Sequence, residues 1–297
     1  MMKNQAWLDA HIPYLVGKSI LICGGTSGIG FQTALALLYK GARVFIACRD
    51  SEKAAAAKAA ILREIPNPDV RFLFYDQSVP ASIALLGKKT TSLHLDSIVL
   101  NAGIYYPKKG AVGPDGTSLT FYTNVVGTYL LFEVLRKIHG ESRFVFVNSI
   151  ANVAPREGDY ANYLQKNRFS RGNQYAVSKR GVMNLFAYAS SLEDTEAVMC
   201  HPGVTPTGII RNFAPWFKRL GNAFLYLFVH KSWKACLGMV YLASGEGEEG
   251  DYLVPRGLFH ISGYPKIAHL PQRKCRQYYQ ELITLLRKDY PLTTTFR

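Results

Sequence analysis

A tyrosine and a lysine four residues apart, Tyr175 and Lys179, are the residues whose types and spacing most directly suggest chemistry. On a helix this spacing places both side chains on one face, so an ammonium group can lie beside a phenol. A free phenol has a pKa of about 10, and a fixed cation nearby favours its ionised form. The pair is therefore predicted to act as an acid or base, with Lys179 lowering the pKa of Tyr175. Helices also carry such pairs for packing and solubility alone.

A glycine-rich turn near the N-terminus has the sequence Gly24-Gly25-Thr26-Ser27-Gly28-Ile29-Gly30. The apolar run before it predicts a strand, and the helical spacing after it predicts a helix. Where side chains are missing, backbone N–H groups at the start of a helix can approach a pyrophosphate closely. We therefore predict a dinucleotide-binding turn, to which Thr26, Ser27 and Ile29 contribute together with the glycines. A turn without a ligand is the alternative.

Short apolar runs alternate with helical spacing along most of the chain. The predicted strands are Lys18–Cys23, Arg43–Ala47, Val70–Tyr75, Asp96–Asn101, Arg143–Ser149, Ala197–Cys200 and a last strand near Tyr252. The predicted helices are Phe31–Tyr39, Ala54–Ile65, Ala81–Lys89, Thr117–His139 and Gln174–Leu192. The alternation is interrupted by an irregular segment at residues 150–172.

This alternation predicts a single doubly wound α/β domain over residues 1–297, with a core at about residues 16–254. Its sheet is expected to be mostly parallel, to have about seven strands, and to carry helices on both faces. Ligands of such sheets bind at the carboxyl ends of the strands. The glycine turn and the residues after the other strands are therefore predicted to share one site.

The charge balance is the unusual bulk property, since 35 Lys and Arg face 21 Asp and Glu, a formal net charge of +14. Such a charge raises the local concentration of anions, which include nucleotide cofactors. The basic residues are dispersed rather than gathered into a run with interleaved aromatic residues, so no nucleic-acid partner is predicted. With 48% hydrophobic residues, the composition is otherwise typical of a globular protein.

The five cysteines are far apart and form no CxxC pair, which argues against a disulfide framework or a zinc site. We therefore expect reduced thiols. No histidine has a metal-ligand partner at helical spacing with a carboxylate nearby, so no metal is predicted. The first residues show no signal segment, and the apolar stretch Leu220–Val229 is shorter than the about 20 residues of a spanning helix. These features predict a cytoplasmic protein.

The GxxxGxG spacing of Gly24, Gly28 and Gly30 resembles that of the short-chain dehydrogenase/reductase family, whose members have a Rossmann-type fold. Further motifs follow in the family's order over about residues 16–254. The tripeptide Asn101-Ala102-Gly103 ends the fourth predicted strand and matches the family's NAG motif, which places it beside the cofactor. Taken alone, the same tripeptide is also ordinary turn chemistry.

Two other positions gain a role from this resemblance. Asp76 ends the third predicted strand, where the family implies a contact with the adenine ring. Pro202 and Gly203 match the family's PG motif after the sixth strand, and Thr207 then implies a bond to the nicotinamide carboxamide or a phosphate. The adjacent His201 is predicted to be a packing residue at the strand end.

Asn124, Ser149, Tyr175 and Lys179 match the Asn-Ser-Tyr-Lys tetrad of the same family. The resemblance implies that Ser149 orients and polarises the substrate oxygen, as a positioned hydroxyl donor can do. It also implies that Asn124 anchors a proton-relay water, and that Lys179, with Tyr175, borders the nicotinamide ribose. Ser149 and Tyr175 are 26 residues apart, a separation that resembles the retinol-dehydrogenase-like members.

The end of the second predicted strand bears on cofactor choice, because an acid there bonds a ribose 2′-hydroxyl and a cation pairs with a 2′-phosphate. The sequence at this point is Cys48-Arg49-Asp50. NAD-preferring relatives resemble one another in carrying Asp where Cys48 stands, and Arg49 resembles the arginine of NADP-preferring retinol-dehydrogenase-like members. NADP(H) is predicted, with NAD(H) as the alternative. If Arg49 only solvates a strand end and Asp50 caps the next helix, the cofactor preference stays open.

The variable segment at about residues 205–233 is rich in aromatic and basic side chains. In the family this segment covers the substrate, so the resemblance implies an apolar or bulky ligand such as a steroid, retinoid or acyl chain. Two other interpretations stay open, namely core-completing amphipathic helices and a peripheral contact of residues 211–233 with acidic lipid. The extension at residues 255–297 could build a homo-oligomer contact.

The predicted function is hydride transfer between a nicotinamide and a carbonyl or alcohol carbon of a small-molecule substrate, with Tyr175 moving the proton. Use of NADPH would favour carbonyl reduction. One alternative is a reductase of a sugar or a 3-ketoacyl substrate. Another is a non-catalytic NAD(P)-binding sensor or scaffold, whose usual sign is a broken tetrad. All four tetrad positions are filled here.

Overall fold

A computed structural model describes residues 4–105, 110–153, 171–205, 231–268 and 272–292 of the protein. In this part of the chain one sheet has the strand order β3-β2-β1-β4-β5-β6-β7-β8. The strands are β1 (Ser19–Cys23), β2 (Arg43–Cys48), β3 (Val70–Phe74), β4 (Ser97–Leu100), β5 (Arg143–Val147), β6 (Ala197–Cys200), β7 (Tyr252–Pro255) and β8 (Pro265–Ala268). Strands β1 to β7 pair in parallel, and β8 pairs antiparallel with β7.

Helices connect the strands and flank the sheet. The α-helices are α1 (Gln5–His11), α2 (Gly28–Tyr39), α3 (Ser51–Glu64), α4 (Pro80–Thr90), α5 (Leu119–Phe121), α6 (Gly127–Ile138), α7 (Arg171–Ala189), α8 (Ser232–Ala235), α9 (Leu237–Ala243) and α10 (Gln272–Asp289). The π-helical turn Tyr122–Val126 joins α5 to α6. None of these helices, within the residues described, is both long and apolar enough to cross a membrane.

The core consists of two apolar layers, one on each face of the sheet. Along β1, Leu21 and Cys23 belong to one layer, whereas Ile20 and Ile22 belong to the other. Helices α4, α6, α7 and α10 contribute to the first layer, and α1, α2 and α9 to the second. A parallel sheet buried on both faces has near-continuous apolar strands, as these are. The predicted doubly wound α/β fold is confirmed.

The sheet has eight strands rather than the about seven predicted. The additional strand, β8, lies in the C-terminal extension at the edge of the sheet, with Leu253 of β7 opposite Ile267. It is four residues long and begins with Pro265, which an edge strand tolerates because no neighbour requires its N–H group. So short a segment has no alternating pattern that could predict it.

The C-terminal helix α10 packs within its own chain. Leu282, Ile283 and Leu286 are buried in the same apolar layer as Phe186 of α7. At its solvent side, Arg287 Nη2 donates a hydrogen bond to the hydroxyl of Tyr188 at 3.0 Å. The apolar face of α10 thus completes the core beside the helix that carries Tyr175.

Leu286→Ala is expected to lower the free energy of unfolding by about 2–5 kcal/mol, because it removes a buried side chain and leaves a cavity. Leu286 is 1% exposed. Denaturant unfolding monitored by circular dichroism measures this loss. The control, Lys288→Ala, changes an exposed residue of the same helix and should alter stability by about 0.5 kcal/mol or less. Equal stability of the two variants would contradict the docking of α10.

Candidate active site

The carboxyl ends of β1 to β4 meet at a cleft of about 360 Å³. Ten of the predicted cofactor residues line it: Gly24, Thr26, Ser27, Ile29, Gly30, Arg49, Asp76, Asn101, Ala102 and Gly103. Gly28 is not among the lining residues but begins α2 with a φ of +59°. The topology therefore gathers side chains from four strand ends into one site, as expected for a parallel sheet.

Close approach of two loops requires glycine in the turn after β1. Gly24 has a φ of +86°, and a Cβ atom there would lie 2.9 Å from Ala102 Cα. A Cβ atom on Gly30 would lie 2.6 Å from Asn101 Nδ2. Asn101 Nδ2 itself donates to the Gly24 carbonyl at 2.7 Å, so this side chain fixes the glycine turn. Ser27 makes no side-chain cap to α2, which leaves the first-turn N–H groups available to an anionic ligand.

Gln77 ties this cleft together and was not singled out from the sequence. Its Nε2 donates to the carbonyls of Ala102 at 3.2 Å and Thr123 at 2.8 Å, and its Oε1 accepts from the Tyr75 hydroxyl at 2.9 Å. One buried amide thus links the ends of β3 and β4 to the π-helical turn. An isolated glutamine after a strand has no spacing pattern that would reveal such a role.

Two cations border the cleft near the end of β2. Arg49 Nη1 lies 3.5 Å from Asp76 Oδ2, and Lys53 Nζ lies 3.1 Å from Asp50 Oδ2. Asp50 also caps α3 by accepting from the Lys53 N–H at 3.0 Å, which lowers the pKa of its carboxyl. Both cationic side chains are about two-thirds exposed, at 67% and 63%. The sequence did not single out Lys53 as a cleft residue, although a lysine three residues after the capping Asp50 indicates a cation at this strand end.

Asp76 has its oxygens engaged on both sides. Its Oδ1 accepts from the N–H of Ser78 at 2.9 Å and from the Ser78 hydroxyl at 2.7 Å, while Oδ2 faces Arg49. The carboxylate is therefore held in place by the turn that follows β3. The residue lines the cleft, and its contact with the adenine ring stays a prediction.

Asn124 lies in the π-helical turn and is 1% exposed. Its Oδ1 accepts from the Ile104 N–H at 2.8 Å, and its Nδ2 donates to the Ile104 carbonyl at 3.0 Å and to Ser178 Oγ at 3.0 Å. Both Nδ2 hydrogens are thus used by protein groups. Here the side chain joins the loop after β4 to α7, and the relay water that the resemblance implies for Asn124 stays a prediction. π-Helical turns occur frequently at functional sites.

Ser149 and Tyr175 are brought together from separate elements. Ser149 follows β5 and is 7% exposed, and its side chain is hydrogen-bonded to that of Tyr175 on α7. Burial raises the pKa of the Tyr175 phenol above its usual value, and the bond with Ser149 offsets part of the increase. The ring of Tyr105, which the sequence did not single out, packs edge-on against Tyr175.

Lys179 is buried on the same helix, with its Nζ 5.8 Å from the centroid of the Tyr175 ring. The ammonium donates a hydrogen bond to the Val147 carbonyl at 3.0 Å. Burial lowers the pKa of Lys179 from 10.5 to about 8, and the nearby Cys200 thiol opposes this shift. The pKa of Tyr175 is raised overall because burial of the phenol dominates, and the ammonium of Lys179 is directed at a backbone carbonyl. That Lys179 favours the phenolate stays a prediction.

The PG motif lies beside the cleft rather than in its described lining. Gly203 has a φ of +79°, and Val204 N–H donates to the Ile261 carbonyl at 3.0 Å. His201 is buried and its Nδ1 accepts from the Gly203 N–H at 3.1 Å, which matches the predicted packing role. Thr207 and residues 206–230 lie outside the described residues. No group of three His, Cys, Asp or Glu in the described ranges is arranged to hold a metal.

Comparison with known proteins places these features in a family. A family model for the short chain dehydrogenases matches residues 18–217. An uncharacterized oxidoreductase of Schizosaccharomyces pombe is 34% identical over 235 residues, which cover 73% of this chain and 68% of that protein. Retinol dehydrogenase 12 of Homo sapiens is 32% identical over 212 residues, 67% of this chain and 65% of that protein.

A solved structure shares the fold. The NADP active-site complex of RhlG from Pseudomonas aeruginosa aligns with a TM-score of 0.64 and 24% identity, over 84% of this chain and 99% of that one. The family match spans the glycine turn, the cleft and the four tetrad positions. The chain therefore belongs to the short-chain dehydrogenase/reductase family, is similar to its retinol dehydrogenases, and is an oxidoreductase of this NAD(P)-dependent class.

Proposed function

We propose that the protein transfers a hydride between NADP(H) and the carbonyl or alcohol carbon of an apolar or bulky small molecule, with Tyr175 as the acid or base. One observation carries this proposal. The Tyr175 phenol is hydrogen-bonded to the Ser149 hydroxyl and shares a helix face with buried Lys179, beside a cleft that fits a dinucleotide. The Tyr175 phenol, with the Ser149 hydroxyl and the Lys179 ammonium beside it, suits proton transfer to or from an oxygen atom.

The described residues fit the cofactor. The uncapped first turn of α2 and the close-packed glycines would receive its phosphates, and the lining from Asn101 to Gly103 would follow it toward Tyr175. When bound, the nicotinamide supplies or accepts the hydride. Gly103 leads to the reacting end, since a Cβ atom there would lie 3.9 Å from Lys179 Nζ.

The chain's own groups then handle the proton. Ser149 donates a hydrogen bond to the substrate oxygen and orients it. Tyr175, whose pKa is raised by burial, is protonated at neutral pH and can give its proton to the alkoxide that forms during reduction. Lys179, with a pKa of about 8, is mostly charged at pH 7 and stabilises the phenolate left behind.

The cations near β2 support a preference for NADP(H). Arg49 and Lys53 both line the cleft, and the neutral Cys48 ends β2 at the position where an acid would repel a phosphate. Each cation has a carboxylate neighbour that a 2′-phosphate could replace. The NADP complex of RhlG is consistent with this choice.

Arg49→Ala and Lys53→Ala are each expected to weaken binding of 2′,5′-ADP by roughly tenfold to a hundredfold, because each removes a charged donor to the 2′-phosphate. Binding of 5′-AMP, which has no 2′-phosphate, should not change. Isothermal titration calorimetry measures both. Lys58→Ala, on the exposed side of the same helix, is the matched control. An equal loss for both nucleotides would contradict the assigned preference.

Substrate class is supported by the aromatic residues of segment 209–233 and by the similarity to a retinol dehydrogenase. The test is an NADPH and NADH oxidation screen over steroid, retinal, quinone, ketoacyl and sugar carbonyls, with Tyr175→Phe as the blank. Turnover of the first three classes supports the proposal. Turnover confined to sugar or ketoacyl substrates would overturn the substrate class, and NADPH binding without Tyr175-dependent turnover would indicate a sensor.

A further inference from the structure

Tyr105 follows the NAG motif and packs directly on the proposed acid. Its ring meets that of Tyr175 edge-on, with centroids 4.6 Å apart and planes at 86°. This is the geometry that aromatic quadrupoles favour. Both residues are only partly buried, so the contact lies at the border of the site rather than deep in the core.

The backbone before Tyr105 is fixed on both polar atoms. The N–H and the carbonyl of Ile104 are bonded to the Asn124 side chain at 2.8 and 3.0 Å. The side-chain amide of Asn124 also donates to the hydroxyl of Ser178 on α7, one residue before Lys179. Asn124 therefore sets the distance between the loop after β4, which carries Tyr105, and the helix that carries Tyr175.

The opposite side of Tyr175 is fixed differently. Its hydroxyl bonds to Ser149, but a single hydrogen bond at the tip of the side chain does not by itself hold the torsion about the Cα–Cβ bond, whose change displaces the hydroxyl. A second contact on the ring itself removes this freedom. Of the described residues, Tyr105 supplies the aromatic contact to Tyr175.

We propose that Tyr105 is a positioning residue for the reaction, which holds the Tyr175 ring so that its hydroxyl stays at Ser149. The inference rests on the proposed role of Tyr175. It assigns no contact between Tyr105 and the reacting atoms. Tyr105 acts through Tyr175, and Asn124 acts through the backbone of Ile104.

The test compares Tyr105→Phe, Tyr105→Leu and Tyr105→Ala. Phe keeps the edge-on ring contact and should retain wild-type kcat, whereas Leu and Ala should lower kcat by roughly threefold to tenfold. The NADPH dissociation constant, from fluorescence titration, should not change. Because burial raises the pKa of Tyr175, the basic limb of the kcat/KM profile should move to lower pH in Tyr105→Ala.

Tyr14→Ala is the matched control, since Tyr14 is 82% exposed and does not line the cleft. Wild-type kcat and an unmoved pH profile in Tyr105→Leu would overturn the inference. So would tighter NADPH binding or a higher kcat, which would mean that Tyr105 obstructs the site. If Tyr175→Phe retains wild-type turnover, the proposed function itself is wrong. If Tyr175→Phe is inactive but Tyr105→Leu is unaffected, only the positioning role of Tyr105 is wrong.

Discussion

Tyr175→Phe is expected to lower kcat by about 10²–10⁴-fold, the usual contribution of a positioned general acid or base. The substitution removes one hydroxyl and keeps the ring, so the contact with Tyr105 survives. The phenol hydrogen bond with Ser149 is lost together with the proton that the phenol would transfer. NADPH binding should be preserved, because the cleft lining does not include Tyr175.

Steady-state oxidation of NADPH with the best substrate from the screen measures the loss. NADPH titration and thermal unfolding of the same variant check that cofactor binding and folding are unchanged. Ser149→Ala should also reduce kcat, because the substrate oxygen loses its donor. Turnover of Tyr175→Phe within about threefold of wild type would exclude the assigned proton transfer.

Lys179→Met is expected to have opposite effects on activity and stability. Activity should fall by at least about a hundredfold, since the cation beside the phenol is lost. Stability at pH 7 should rise by about 2 kcal/mol. The lowered pKa of Lys179 corresponds to a burial penalty of about 3 kcal/mol, and loss of the bond to Val147 offsets about 1 kcal/mol of it.

The sign of the pH dependence follows from the direction of this shift. The folded state binds the Lys179 proton less tightly than the unfolded state, with pKa values of about 8 and 10.5. The penalty is therefore complete below pH 8 and disappears as the pH rises to 10.5. The stability advantage of Lys179→Met should shrink over the same range.

Denaturant unfolding of wild type and variant at several pH values measures this difference. Lys40→Met is the matched control, because Lys40 is also buried but has Asp9 as an ion-pair partner 3.3 Å away. Removing a paired lysine leaves the partner uncompensated, so no stabilisation is expected there. A Lys179→Met variant that is less stable than wild type at pH 7 would contradict the burial penalty assigned to this ammonium.

The alternation of strands and helices could be predicted from the sequence because each β–α unit has a local pattern of apolar spacing. Strands such as Arg43–Cys48 and Ala197–Cys200 agree with their predicted bounds within one residue. The glycine turn was readable for a related reason, since a tight turn between strand and helix admits few residue types. The family resemblance then assigned the tetrad positions, which the fold brings to one end of the sheet.

Contacts between distant residues followed no such pattern. Gln77, Asn124 and Tyr105 gain their roles from partners on other strands or helices, and the short edge strand β8 is defined by β7 rather than by its own sequence. The raised pKa of Tyr175 likewise depends on how deeply the phenol is buried and on where Lys179 points.

The amino-acid sequence alone determined the fold class and the set of groups available for chemistry, because local apolar spacing and a glycine turn are properties of neighbouring residues. Only the tertiary structure decided which side chain holds which loop or faces which charged partner. Asn101 bonds to the glycine turn, Asn124 bonds to the loop after β4, and Arg49 faces Asp76. The physical reason is that hydrogen bonding, burial and ion pairing join side chains from separate strand ends, whose proximity depends on the packing of the whole sheet.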